Sequence, residues 1–129
     1  MQSQMASPAL ETIEDEGFRA TGELAETRLT LHLSGQADPR SNARLEGFLQ
    51  AADGQAVAAG VKEVAVDFRR LEFMNSSCLK SLVSWLRRVQ ERPPEQRYAI
   101  RFLHEPESHW QIRSFSALAA FGRGILTIE

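Results

Sequence analysis

Cysteine is nearly absent from this chain. Cys78 is the single one, so no internal disulfide framework is available, and the sequence fits a reducing compartment, expected to be the cytoplasm. Long apolar runs are missing too; none approaches the ~20 residues needed to cross a bilayer. The stretch Met1–Ala9 lacks a basic region followed by an apolar one, so it does not read as a signal peptide. Lysine is scarce: thirteen of the fifteen cations are arginine, and the formal charge is −2. That balance gives no uniformly basic surface, so neither nucleic acid nor a membrane is an expected partner. There is no internal repeat and no Gly-rich, Lys-containing loop of the kind that cradles phosphates.

What is there has the size and balance of one globular domain: 129 residues, 43% hydrophobic and 25% charged. Acid is concentrated at the start. Residues 1–26 carry six acids and one base, for a net of −5, whereas the remainder is +3. Residues 1–17 combine that charge with Ser, Gln and Pro and show no hydrophobic period, which predicts a mobile acidic tail. The domain is expected over residues 18–129.

Within that span strands alternate with helices. Phe18–Glu23 is a weakly signalled first strand, and Arg28–Leu33 places Leu29, Leu31 and Leu33 on one face of a second. Turn residues Ser34–Pro39 follow, and either Asp38 or Ser41 can cap the next helix. That helix carries Leu45, Phe48 and Leu49 and runs to Gly60, with Asp53-Gly54 as a candidate interruption. Val61–Phe68 has the apolar run of a buried strand, and Arg69–Met74 reads as a loop. From Asn75 a strong amphipathic helix begins, with Leu79, Leu82, Val83, Leu86 and Val89 on one stripe. Pro93-Pro94 ends it. Tyr98–Leu103 is a strand, Glu107–Phe121 a helix with Ile112, Phe115, Leu118 and Ala119 facing the core, and Ile125–Ile128 a last strand. This order predicts an α/β fold with a mainly parallel sheet.

Chemistry has few footholds. His32, His104, His109 and Cys78 are the candidate metal ligands, but His104 and His109 are five apart, not the three or four that one helix face needs. Nothing demands a metal or a cofactor, and none is expected. Ser76 and Ser77 stand at a helix start after a strand, yet the glycines of a nucleophile elbow are absent and no histidine is placed as base. The chain is therefore expected not to be an enzyme. A helix N-terminus does offer free amides and partial positive charge, which suit a phosphate on a serine. The same Asn-Ser-Ser segment also reads as a plain helix cap, worth about 1 kcal/mol.

The stretch Val64-Ala65-Val66-Asp67-Phe68-Arg69-Arg70-Leu71-Glu72-Phe73-Met74-Asn75-Ser76-Ser77-Cys78-Leu79 resembles the signature of the STAS domain, the family of bacterial anti-sigma-factor antagonists. Members show an apolar strand, a loop ending in Phe-aliphatic-Asp, and Ser-Ser-Gly-Leu opening a helix. Leu33-Ser34-Gly35-Gln36-Ala37-Asp38 resembles the family's Gly-Glu-Leu-Asp turn, at the matching distance upstream. The resemblance implies a STAS-like single domain with a mixed, mainly parallel sheet and packed helices. It implies a signalling module that binds an anti-sigma factor or a serine/threonine kinase, with a second copy of the chain as an admissible partner. By position, Ser76 matches the serine that a partner kinase phosphorylates, and Asp38 an acid at the partner-binding end. Asn75, Ser77, Cys78, Lys80, Arg87 and Arg88 are the further expected partner-binding positions. Two departures stand out: Asn75 replaces Asp and removes a charge beside Ser76, and Cys78 replaces Gly, adding a side chain where a partner backbone would approach. Those departures favour a second reading, a constitutive STAS scaffold that is never phosphorylated. A small-ligand-binding domain or enzyme is the third.

Overall fold

The computed structural model describes residues 7–8, 10–15 and 17–129. Strands β3 (Phe18–Ala25) and β4 (Arg28–Ala37) form an antiparallel hairpin. β5 (Glu63–Met74), β6 (Ala99–Leu103) and β7 (Leu126–Ile128) then add to β4 in parallel, in the order β3-β4-β5-β6-β7. The helices α1 (Asn42–Ala59), α2 (Ser76–Gln90) and α3 (His109–Phe121) are the crossovers that parallel pairing requires. This is the mixed, mainly parallel α/β sheet that the alternation of strand and helix predicts.

All three helices lie on one face, because only one face is apolar. Leu29, Leu31 and Leu33 of β4, Val64, Val66 and Phe68 of β5, and Ile100 and Phe102 of β6 are buried in the same core as Leu45, Leu82 and Phe115 of the helices. Phe68, Phe102 and Phe115 form an aromatic triangle with ring centroids 4.7–5.2 Å apart. The alternate residues of each strand project from the opposite face, which no helix covers among the described residues: Thr21, His32, Asp67 and Arg101 stand there, the last paired with Glu63 at 2.8 Å.

Several expectations need correction. Arg69–Met74 is not a loop; β5 continues through it, paired with β4 as far as Ala37↔Met74. β6 stops opposite Asp67, so the far side of this extension has no strand partner. Gln111, fully buried on α3, takes that place: its Nε2 donates to the carbonyls of Phe68 (2.8 Å) and Leu71 (2.9 Å), and its Oε1 accepts from the Glu105 amide (2.8 Å). Asp53-Gly54 does not interrupt α1, because the Asp53 carboxylate turns into the core and is satisfied by Tyr98 and Arg92 rather than by its own backbone. Ile112 and Ala119 are exposed; the buried stripe of α3 is Gln111, Phe115 and Leu118 instead.

The acidic start also departs from a mobile tail where it is described. β1 (Ser7–Pro8) and β2 (Ile13–Asp15) both pair antiparallel with β3, Leu10 and Ile13 pack on the core, and Asp15 meets Arg44 at 2.7 Å. The outer side of β3 would otherwise be an open row of hydrogen-bonding groups, which recruits even short extended segments. Residues 1–6, 9 and 16 of the expected tail lie outside the described residues.

Candidate functional site

In a parallel sheet the loops after each strand leave at one edge, and that edge is where open α/β sheets place their ligands. The turn after β4 and the helix start after β5 meet there. The Asn75 amide donates to the Ala37 carbonyl (2.9 Å), and the Cys78 thiol lies 3.8 Å from the Asp38 carbonyl. The Ser81 hydroxyl reaches the Asn42 side chain at 3.3 Å, tying α2 to the start of α1. The two segments that the sequence marks separately, Leu33–Asp38 and Asn75–Leu79, are thus one surface.

Glycine at position 35 makes the first of these turns feasible. Its φ is +87°, and a Cβ there would sit 2.0 Å from the Gly17 carbonyl oxygen, which accepts the Gln36 amide. Only a residue without a side chain admits that backbone approach. Beyond it, Asp38 caps a single 3-10 turn, Pro39–Ser41, rather than α1 itself: its Oδ1 accepts from the Arg40 amide at 2.9 Å, and its Oδ2 from the Arg40 guanidinium at 2.8 Å. Ser41 makes no side-chain cap. The Arg40 guanidinium holds the Asp38 carboxyl below the usual carboxylate range, so this corner presents a fixed ion pair.

At the second segment Asn75 is the N-cap of α2, its Oδ1 accepting from the Cys78 amide at 3.2 Å. Ser76 follows as the first helical residue and is exposed; Ser77 is half-buried. Cys78 is fully buried, so its side chain is directed into the core and adds nothing to the surface, contrary to the obstruction expected of a non-glycine residue. Burial, with the Asp38 charge second, pushes its thiol up to about 11. A thiol with that value is almost wholly protonated at neutral pH, which leaves little thiolate to act as a nucleophile. Alkylation by iodoacetamide at pH 8 is expected to run about a hundredfold slower on the folded chain than on the unfolded one, matching the two-unit rise from 9.0. Equal rates, followed by mass spectrometry, would show that the thiol is open to solvent.

The remaining candidates are dispersed. Lys80 and Arg87 are exposed on α2, but Arg88 is half-buried beside Glu46, at 3.7 Å, and is no free cation. His32 faces Asp67 at 3.6 Å, the His104 ring meets the Glu129 carbonyl at 2.6 Å, and His109 opens α3. Among the described residues no three His, Cys, Asp or Glu side chains group as a metal site, and no helix is long and apolar enough to cross a membrane. Two residues beside the site are given no role by the sequence, although Phe73 belongs to the stretch that carries the family resemblance. Phe73, at 45% one of the most exposed large apolar side chains, stands two positions before Asn75. Gln111 seats the extension that delivers Asn75, and only its buried stripe position on α3 hints at it.

Comparison with known proteins agrees with this geometry. No curated protein matches the chain. Among solved structures, an anti-sigma factor antagonist from Mycobacterium paratuberculosis superposes with a TM-score of 0.59 at 18% identity, covering 84% of each chain. The anti-sigma factor antagonist SpoIIAA in its unphosphorylated form gives 0.59 at 18% identity, over 85% of this chain and 87% of that one. The Bacillus cell fate determinant SpoIIAA in the phosphorylated form gives 0.56 at 19%, over 85% and 90%. These likenesses establish a shared fold. The family model described as Mlab, STAS domain, matches residues 21–95, from the β3–β4 hairpin through α2, and the chain therefore belongs to the STAS domain family.

Proposed function

We propose that this chain is a cytoplasmic anti-sigma-factor antagonist, a non-catalytic module that captures an anti-sigma factor or a serine/threonine kinase and thereby releases a sigma factor. The observation that carries this reading is the meeting of the Asp38 turn with the exposed Ser76 at the first position of α2. Two solved structures of similar fold, named for the unphosphorylated and phosphorylated forms of one antagonist, support it. Phe73 would supply the apolar anchor of the contact, and Lys80 and Arg87 its basic rim. A phosphate on Ser76 would add about −1.5 to −2 charges beside the fixed Asp38–Arg40 pair and disfavour an acidic partner surface. Ser76→Asp is expected to weaken partner binding at least tenfold, about 1.4 kcal/mol, while Ser76→Ala keeps it. Titration calorimetry against the partner recovered from the host, with mass spectrometry of Ser76, measures both.

The constitutive scaffold is the second reading, and Asn75 favours it. The amide caps α2 as an aspartate would, but leaves no acid beside Ser76 for a kinase to read. Ser76→Asp binding as tightly as the unmodified chain, with no phosphate found on Ser76, would establish this reading instead.

A further inference from the structure

The N-terminal segment sits on the domain as an addition to it. The family match begins at residue 21, so β1, Leu10 and β2 lie outside it, whereas Gly22 of β3 and Arg44, Gly47, Phe48 and Ala51 of α1, on which they rest, lie inside. The seat is shaped for one aliphatic side chain. Leu10 lies over Gly22, where a Cβ would stand 2.8 Å from the Leu10 Cδ1. Only glycine leaves that space on a strand. The segment is nevertheless loosely held. Among the described residues a hollow of about 350 Å³ stays open between it and α1, walled by Leu10, Ile13, Gly47, Phe48 and Ala51. Side chains beside such a hollow forfeit the dispersion contacts of close packing. β1 and β2 are two and three residues long, and Pro8 brings no amide to the ladder. Asp15 and Arg44 are 27% and 58% exposed, and ion pairs that open to water add little. The segment ends at the candidate site: Asp15 and Arg44 wall a second hollow, of about 290 Å³, together with Asp38, Arg40 and Ser41.

We propose that the groove between β3 and α1 is a docking surface for an extended acidic segment of the protein partner, with an aliphatic side chain over Gly22 and a carboxylate on Arg44, and that the N-terminal segment is its built-in competitor. The resident shows the chemistry that the groove accepts: Glu11, Glu14 and Asp15 accompany Leu10 and Ile13, and Glu14 stands across from Arg19. An incoming strand takes over the edge hydrogen bonds of β3 that β1 and β2 now use. One with a larger side chain also fills the hollow against Phe48, which the resident leaves open. Capture requires the strap to leave, and this sets a threshold on partner affinity. Because the groove runs into the Asp38 corner, the displaced strap gives up Arg44 at the same edge that carries Ser76. This deepens the antagonist reading and rests on it only for the identity of the partner.

The test uses the full-length chain and a labelled, end-blocked peptide with the sequence of residues 7–15, which carries the resident's own chemistry. The double variant Leu10→Ser/Ile13→Ser loosens the strap and leaves the groove intact. By fluorescence anisotropy it is expected to bind the peptide at least about tenfold more tightly than the parent, in which the strap competes. In that double variant, adding Arg44→Ala should weaken the peptide at least about threefold, and adding Gly22→Ala, which fills the leucine seat, at least about tenfold. Hydrogen exchange of the parent needs no variant: the amides of Ile13–Asp15 should exchange about a hundredfold faster than those of residues 29–33 in β4. Peptide binding that is absent from both chains or equal in them, binding unchanged by Gly22→Ala, or strap amides as slow as those of β4 would each overturn the assignment. Loss of the cooperative melt in the double variant would do so too, since the strap would then be part of the core. A dimer of the parent with exchanged straps, seen by light scattering, would make a second copy the occupant instead of a partner. No anti-sigma factor enters the assay, so its failure leaves the antagonist reading standing, and a Ser76→Asp chain that captures its partner undiminished leaves this one standing.

Discussion

Arg92→Met is expected to cost about 3 kcal/mol of stability, the lower end of what breaking a buried ion pair costs. Asp53 sits in the middle of α1 with its side chain 3% exposed; two residues satisfy it, and a third holds one of those two. The Arg92 guanidinium contacts its Oδ2, the Tyr98 hydroxyl donates to its Oδ1 at 2.7 Å, and the Trp85 ring nitrogen donates to the Tyr98 oxygen at 2.8 Å. Removing Arg92 leaves a carboxylate in the core with one neutral donor. Water reaches only the Arg92 side, which is 24% exposed, and this keeps the cost from being larger. For a domain of this length the loss corresponds to a fall in melting temperature of about 10 °C. Adding Asp53→Asn to Arg92→Met should recover about half of it, because an amide keeps the Tyr98 bond and needs no counter-ion. Burial, with Asp53 next, also pushes the Tyr98 phenol above its ordinary value, so it stays the donor of this chain of bonds across the neutral range. Thermal and urea melts of the two variants measure the asymmetry. A double variant as unstable as Arg92→Met alone would mean that packing, not charge, sets the loss.

That network also marks where the sequence misleads. Asp53-Gly54 has the chemistry of a turn, and a local reading can only treat it as a break. What overrides it is a set of bonds to residues 39 and 45 positions away, which no window along the chain contains. The failures of the α3 face have the same origin. Ile112 is apolar and Gln111 polar, yet Gln111 is buried because three backbone groups at the end of the sheet need partners. By contrast, the strands with strict alternation and the amphipathic α2 were legible, because one buried face imposes its period directly. The candidate site was legible through Gly35 and the Asn75 cap, where backbone geometry restricts the residue types. The exposure of Phe73 was not: the resemblance covers its position, but an exposed aromatic in an extended strand has no periodic signature.

Gln111→Leu is expected to cost about 3 kcal/mol and to loosen the approach to Ser76. The side chain is fully buried and makes three hydrogen bonds, all to backbone: the carbonyls of Phe68 and Leu71 and the amide of Glu105. Leucine fills similar space but leaves all three groups without partners, and each buried unsatisfied group costs about 1–3 kcal/mol, less whatever water recovers. The damage should be local first. Beyond Asp67 the β5 extension has β4 on one side and Gln111 on the other, so the leucine variant should raise amide exchange over Arg69–Asn75 before that of Val64–Phe68 changes. Since Met74 pairs with Ala37 and the Asn75 amide bonds its carbonyl, that loosening passes directly to the cap of α2. Partner affinity should therefore fall in Gln111→Leu although the residue lies on α3, whose sequence carries no signal for the site. Gln111→Glu separates hydrogen bonding from packing: it keeps the shape and the acceptor for Glu105 but points an oxygen at two carbonyls. It should be at least as unstable as the leucine variant. If Gln111→Glu melts like the parent chain, the side chain merely fills space, and the extension of β5 is held by its pairing with β4 alone.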